Sequence, residues 1–190
     1  MTAPLLSVVV IFHDMQREAE RTLASLGAAY QTGVTADDYE VIAIDNGSSA
    51  PLASDRIAAM GPNFRYHYHE TGAVSPVEAV NLGVDMARGP YVAIVVDGSR
   101  MVTPGLIAST LAALRAFAKP FVCTLAWHLG PDVQNRSITQ GAMTRRPKMP
   151  CWLRWTRATT AIGCSKYPPW RNRRIWGSSV AYPMNAAGWR

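Results

Sequence analysis

Three short apolar runs, each closed by polar residues at its carboxyl end, constrain this chain more than any other feature. Leu5-Leu6-Ser7-Val8-Val9-Val10-Ile11-Phe12 runs into His13-Asp14. Tyr39-Glu40-Val41-Ile42-Ala43-Ile44 runs into Asp45, and Tyr91-Val92-Ala93-Ile94-Val95-Val96 into Asp97. The runs are near-continuous rather than alternating, and rich in β-branched residues. Such segments suit strands buried on both faces, as in a parallel sheet. Between them the period changes. Arg17 to Tyr30 carries Ala19, Leu23, Leu26 and Ala29/Tyr30 at helical spacing. Ser75 to Arg88 carries Val77, Val80, Val84 and Ala87, with Ser75-Pro76 at its start and Gly89-Pro90 at its end. A short helix is expected over Pro51–Met60, a third strand over Phe64–His69, a helix over Pro104–Ala118 and a last strand over Phe121–Trp127. Strand and helix in alternation predict an α/β fold, a mostly parallel sheet with helices on both faces.

In such sheets ligands bind outside the carboxyl ends of the strands. Phe12-His13-Asp14, Asp45 and Asp97 all fall at that edge. One strand-end aspartate more often caps a turn than binds anything; three converging on the ligand edge favour a site. No GxGxxG follows the first strand, which disfavours a dinucleotide site. GxxxxGK[ST] and GxSxG are absent too, so neither a P-loop nor a nucleophile elbow is available. His67 and His69 alternate with Tyr66 and Tyr68. They could face one side as a metal pair, but the pattern suits a half-exposed edge strand better.

Composition matters mainly because it is uneven. Apolar residues make up 48% of the 190 and charged residues 17%, enough for a packed core. Residues 141–190 hold ten Lys/Arg, no Asp or Glu, and five of the six tryptophans. Residues 1–140 then hold nine basic and thirteen acidic residues, a net charge of −4. The chain divides into an α/β domain, 1–140, and an irregular basic tail, 141–190, expected to be poorly ordered. No apolar run is long enough to cross a membrane, and the first one lacks a basic flank of the signal-peptide kind. Cys123, Cys151 and Cys164 show neither zinc-site nor disulfide-framework spacing, which fits a reducing cytoplasm.

The motifs of the first piece bear a family resemblance. Ser7-Val8-Val9-Val10-Ile11, Thr22-Leu23-Ala24-Ser25-Leu26 and Tyr39 through Ser48 look like family 2 glycosyltransferases of the GT-A fold. So do Ala79-Val80-Asn81-Leu82-Gly83, Ala87-Arg88-Gly89-Pro90-Tyr91 and Val95-Val96-Asp97-Gly98-Ser99. Order and spacing agree over roughly residues 5–140. The resemblance implies a GT-A (Rossmann-like) mixed, mostly parallel sheet and a nucleoside-diphosphate sugar as donor. It implies base and ribose contacts from Phe12, His13, Asp14 and Asp45, and a helix carrying Asn81 beside the nucleotide. It implies a divalent metal, Mg²⁺ or Mn²⁺, on the Asp-x-Asp at the end of the later strand. The departing diphosphate gains charge, and a hard cation on carboxylate oxygens offsets it. Here Asp97 stands at the first acidic position but Ser99 at the second, leaving one carboxylate for the metal. Arg100 follows, where it could neutralise phosphate or simply be solvated. Val80 stands where the family usually has Arg.

Family 2 enzymes also need a base to deprotonate the acceptor hydroxyl, usually from an acidic Glu-Asp motif after the fifth or sixth strand. No such motif follows Trp127-His128-Leu129-Gly130-Pro131. Asp132 is the nearest acid, and no catalytic residue is assigned; the acceptor is unidentified. The neighbouring reading frame does permit one. Taking the third base of each codon with the first two of the next allows Gly-Tyr-Asp-Gln-Ala-Ala-Glu-Asp-Ala-Leu-Leu-Ala from Gly141 through Trp152. It allows Asp-Gly-Tyr-Arg-Leu-Phe-Glu-Ile-Ser-Thr-Leu-Ala-Glu from Thr159 through Arg171. Codon degeneracy gives freedom, yet Met149-Pro150 forces GCC, an alanine. A frameshift or truncation near Gly141 is therefore the expectation. The alternative is a genuine basic tail on a catalytically inactive nucleotide- or nucleic-acid-binding module. Tryptophan and arginine suit base stacking and phosphate contact, but Pro147, Pro150, Pro168 and Pro169 break helices, and with no recognition motif nucleic acid is the less favoured partner. Whether this chain turns over a substrate stays open at the level of sequence.

Overall fold

The computed structural model describes residues 3–73, 75–96, 98 and 100–124. Elements alternate as β1 (Leu6–Phe12), α1 (Gln16–Leu26), β2 (Tyr39–Asn46), α2 (Ser54–Ala58), β3 (Phe64–His69), α3 (Val77–Met86), β4 (Tyr91–Val95) and α4 (Leu106–Ala116). The four strands form one sheet in the order β3-β2-β1-β4, every neighbouring pair parallel.

Every residue of β1 and of β2 is buried, as their continuous apolar composition requires. Alternate side chains go to opposite faces. Val8, Val10 and Phe12 pack with Ala19, Leu23 and Leu26 of α1, Ile57 of α2, and Ile107, Leu111 and Leu114 of α4. Val9, Ile11, Ile42 and Ile44 pack on the other side under Ala79 and its neighbours on α3. Helices thus cover both faces, three against one.

α3 comes close because Gly83 has no side chain. A Cβ there would enter the side chain of Val9 and lie 3.0 Å from Ile44 Cδ1. The helices are shorter than their periodicity suggests. α1 stops at Leu26 because Gly27 turns extended, with φ −68° and ψ 145°. The amides of Tyr30 and Gln31 then bond back to the Gly27 carbonyl. α2 keeps only the middle of Pro51–Met60. The expected strand from Phe121 is not formed over Phe121–Thr124, where the backbone is irregular; the rest of that strand lies outside the described residues. So do Asp132 and the whole of 141–190.

At the amino edge a buried ionic cluster ties the sheet to the chain before β4. Glu40, 4% exposed, accepts hydrogen bonds from Ser7 Oγ at 2.7 Å, Arg88 N–H at 2.7 Å and Arg65 Nη1 at 3.1 Å. Arg65 also donates to the Met86 carbonyl, and Gly89 N–H to Ser7 Oγ. Burial works to raise the Glu40 pKa, but these donors hold its carboxyl below the ordinary glutamate value.

Candidate functional site

The carboxyl edge is where the loops after β1 and β2 meet. Phe12 and Asp45 are level in the sheet, and Asp45 is level with Tyr68 of β3. The chain leaves β1 through Asp14, whose φ of 50° lies in the left-handed region that aspartate tolerates better than most residues. Asp14 then joins the two loops. Its N–H donates to Ser48 Oγ at 2.8 Å. Its Oδ1 accepts from Ser49 N–H and Ser49 Oγ, each at 2.8 Å. The Ser49 hydroxyl and then the Ser49 amide hold this carboxyl below the usual aspartate range. His13 adds a further bond, Nδ1 to the Asn46 carbonyl at 2.8 Å. A carbonyl only accepts, so Nδ1 donates in this bond, and Nε2 lies 3.7 Å from Asp14 Oδ2.

Asp45 sits beneath these loops with no exposed surface. Its carboxylate accepts from Ser48 N–H at 3.2 Å and Leu52 N–H at 2.9 Å. Tyr66 Oη donates to it at 3.4 Å. Burial, with the Asp45 charge beside it, pushes the Tyr66 phenol up to about 12, so it stays a neutral donor. The family resemblance implies a base and ribose contact from Asp45; in the structure its carboxylate accepts the amides of the turn that follows β2. Phe12, assigned likewise, is also fully buried. A Cβ added at Gly98 would enter its ring, so the two are in contact. His13 and Asp14 are exposed, at 60% and 49% of their side chains.

Asn46 is the residue that sequence reasoning passed over. It ends β2, is 4% exposed, and its Oδ1 has no hydrogen-bond partner. A buried acceptor left unpaired is destabilising unless something else satisfies it. The signal was present in the polar run Asp45-Asn46-Gly47-Ser48-Ser49, of which only the first residue was singled out. Gly47 is needed in that run. Its φ is 66°, and a Cβ would collide with the Thr71 carbonyl beyond β3.

The remaining assignments are less tightly gathered. Asn81 is exposed on α3, and among the described residues it shares no hydrogen bond with the paired loops. Arg100 is exposed, and Asp97 and Ser99 lie outside the described residues. β3 is an edge strand with His67 and His69 half-buried, and His69 Nε2 lies 3.4 Å from Glu78. Among the described residues no three His, Cys, Asp or Glu gather as a cation seat. One cavity borders the carboxyl-edge loops at Gln16, Pro51 and Leu52, and another lies at the opposite edge. The first, of about 190 Å³, opens between α1 and α2; the second, of about 420 Å³, opens at the amino edge by Glu40, Arg65 and Arg88.

A parallel β3-β2-β1-β4 sheet with helices on both faces is an arrangement of GT-A type. The family model described as "Glycosyl transferase family 2" matches residues 7–165. The chain belongs to glycosyl transferase family 2. Solved structures similar to it include residues 1–349 of S. aureus TarS, with a TM-score of 0.53 at 17% identity over 67% of this chain and 40% of that one. The same protein in complex with UDP gives 0.55 at 18%, over 67% and 38%. Its complex with UDP-GlcNAc gives 0.52 at 17%, over 70% and 42%. At that identity the likeness is one of fold, and this chain spans about 40% of the length of those relatives. No curated protein matches this chain in sequence. Among the described residues no helix is long and apolar enough to cross a membrane.

Proposed function

We propose that the carboxyl edge of the sheet binds a nucleoside-diphosphate sugar as glycosyl donor. Base and ribose lie against the loops joined by Asp14, with His13 and Asn46 as their polar contacts. Phe12 and Asp45 support those loops from beneath, and Asn81 flanks the nucleotide from α3. The diphosphate lies toward Asp97, Ser99 and Arg100. The observation that carries this reading is the unpaired Oδ1 of buried Asn46 at the ligand edge. An unpaired amide acceptor matches the imide N–H of a pyrimidine base. The complexes of the S. aureus relative make UDP and UDP-GlcNAc the first donors to try.

In the complete reaction the sugar passes to an acceptor hydroxyl and the nucleoside diphosphate leaves. This chain's residues hold the nucleotide and orient its diphosphate. No residue is assigned as the base, and the acceptor stays unspecified. A divalent cation would rest on Asp97. The carboxylates described at the edge, Asp14 and Asp45, already accept backbone amides and do not complete a seat for it, so no step is routed through a metal. A cytoplasmic setting fits the unpaired cysteine spacing and a nucleotide donor.

Titration calorimetry with UDP tests the reading. Binding to the full chain is expected, with Asn46→Ala weaker by about tenfold, the scale of one or two hydrogen bonds to the base. Absence of UDP and UDP-GlcNAc binding in the parent chain rejects it.

A further inference from the structure

The cavity at the amino edge lies at the opposite end of the strands from the nucleotide loops. Its volume, about 420 Å³, falls within the roughly 300–1,000 Å³ of small-molecule pockets. Part of its wall is already satisfied. Glu40 and Arg65 neutralise each other there, 3.1 Å apart. The Glu40 carboxylate is occupied by Ser7 Oγ, Arg88 N–H and Arg65. Arg65 commits only Nη1, to Glu40 and to the Met86 carbonyl, which leaves its Nε and Nη2.

Three other groups on the wall are left over. Arg88 gives the cluster only its backbone N–H, and its exposed guanidinium has no partner among the described residues. Asp37 is exposed, and its carboxylate likewise has none. Asn63 is 8% exposed. Its Nδ2 donates to the Tyr39 carbonyl at 3.2 Å, and its buried Oδ1 has no partner. Turning that amide over would set oxygen against oxygen at Tyr39, so it is the acceptor that is unpaired. A buried acceptor of this kind calls for a donor.

The leftover set is one cation, one anion and one acceptor. A plain anion would suit Arg88 but meet Asp37 and the Asn63 oxygen. A plain cation would suit those two but meet Arg88. A small zwitterion suits all three. A carboxylate takes two parallel N–H bonds from a guanidinium, and an ammonium brings three donors.

We propose that the amino-edge cavity is a second ligand site and takes a free α-amino acid. The carboxylate pairs with Arg88 and with the open Nε–Nη2 side of Arg65. The ammonium donates to Asn63 Oδ1 and to Asp37. The site stands apart from the donor edge and does not depend on the donor reading.

Calorimetry on the full chain, titrated with each of the twenty L-amino acids, tests this. At least one is expected to bind. Its N-acetyl and C-terminal amide derivatives each lose one charge and are expected to bind about tenfold more weakly, the scale of a charge-assisted hydrogen bond. Arg88→Ala and Asp37→Asn are each expected to weaken the free amino acid by a similar factor, with thermal melts like the parent's, because both side chains are exposed and outside the Glu40 cluster. Saturating UDP should leave the affinity unchanged. The inference is overturned if no amino acid binds, if either derivative binds as well as the free amino acid, or if neither substitution changes the affinity. Displacement by UDP would put the amino acid at the carboxyl edge and overturn it too. The derivatives decide the matter even where a variant does not fold.

Discussion

At the scale of single residues, Asp14 does two jobs that substitution separates. Its backbone occupies the left-handed region, and its carboxylate bonds Ser49. Asp14→Gly keeps the first and loses the second; Asp14→Ala loses both. Urea unfolding is expected to place the alanine variant about 1 kcal/mol below the glycine variant, because a Cβ is strained at positive φ. Equal midpoints would mean that the turn relaxes without strain. The sequence showed which residues end the strands, since polarity changes abruptly after an apolar run. It did not show which of them stay accessible. Asp45 and Asn46 are adjacent and alike in size, yet the pleat and the tight turn at Gly47 hand one carboxylate to backbone amides and leave the next side chain unpaired. That division depends on the path of a turn over four residues, which no periodicity encodes.

At the scale of elements, the close approach of α3 to the sheet rests on Gly83. Gly83→Ala is expected to destabilise the fold by roughly 1–3 kcal/mol, because a methyl group must push into Val9 and Ile44; a thermal melt measures it. The helical gain of alanine over glycine, about 1 kcal/mol, offsets part of that loss and does not reverse it. The Glu40 cluster gives a second prediction with a defined sign. Its folded pKa lies below the unfolded value. Its stabilisation is therefore complete above the ordinary glutamate pKa and is lost as pH falls through the lower folded one. Glu40→Ala leaves Arg65 half-buried without its carboxylate and is expected to lower stability by about 3 kcal/mol at neutral pH. The gap to the parent should narrow below about pH 4, as urea midpoints across that range would show. The elements themselves were legible, because continuous apolar strands and amphipathic helices report burial directly. Their ends were less so: α1 stops at Gly27 inside a pattern that runs on to Tyr30, since one extended glycine outweighs two more matching positions.

At the scale of the whole molecule, the feature to account for is the balance of charge. Residues 1–140 are acidic in net charge, and the remaining fifty carry ten cations and no anion. In the described part Ile94 and Val96 are about half exposed and Phe117 is 60% exposed. Codon degeneracy permits in the neighbouring reading frame what the tail lacks, an Ala/Leu-rich segment with a Glu-Asp pair where the family resemblance calls for an acceptor base. The family match reaches residue 165, beyond Gly141, so the departure from the family pattern is not abrupt at the amino-acid level. The two origins of the tail differ only in the DNA. Translating all three forward frames across codons 130–190 is expected to find the neighbouring frame open through codon 171. Joining that frame to residues 1–140 should give a protein that stays monomeric in sedimentation at concentrations where the present chain self-associates. Repeated stop codons in that frame between codons 141 and 176 would show instead that the tail is genuine. Salt-dependent binding of single-stranded oligonucleotides, lost on cutting after Gln140, would then show what its ten cations are for.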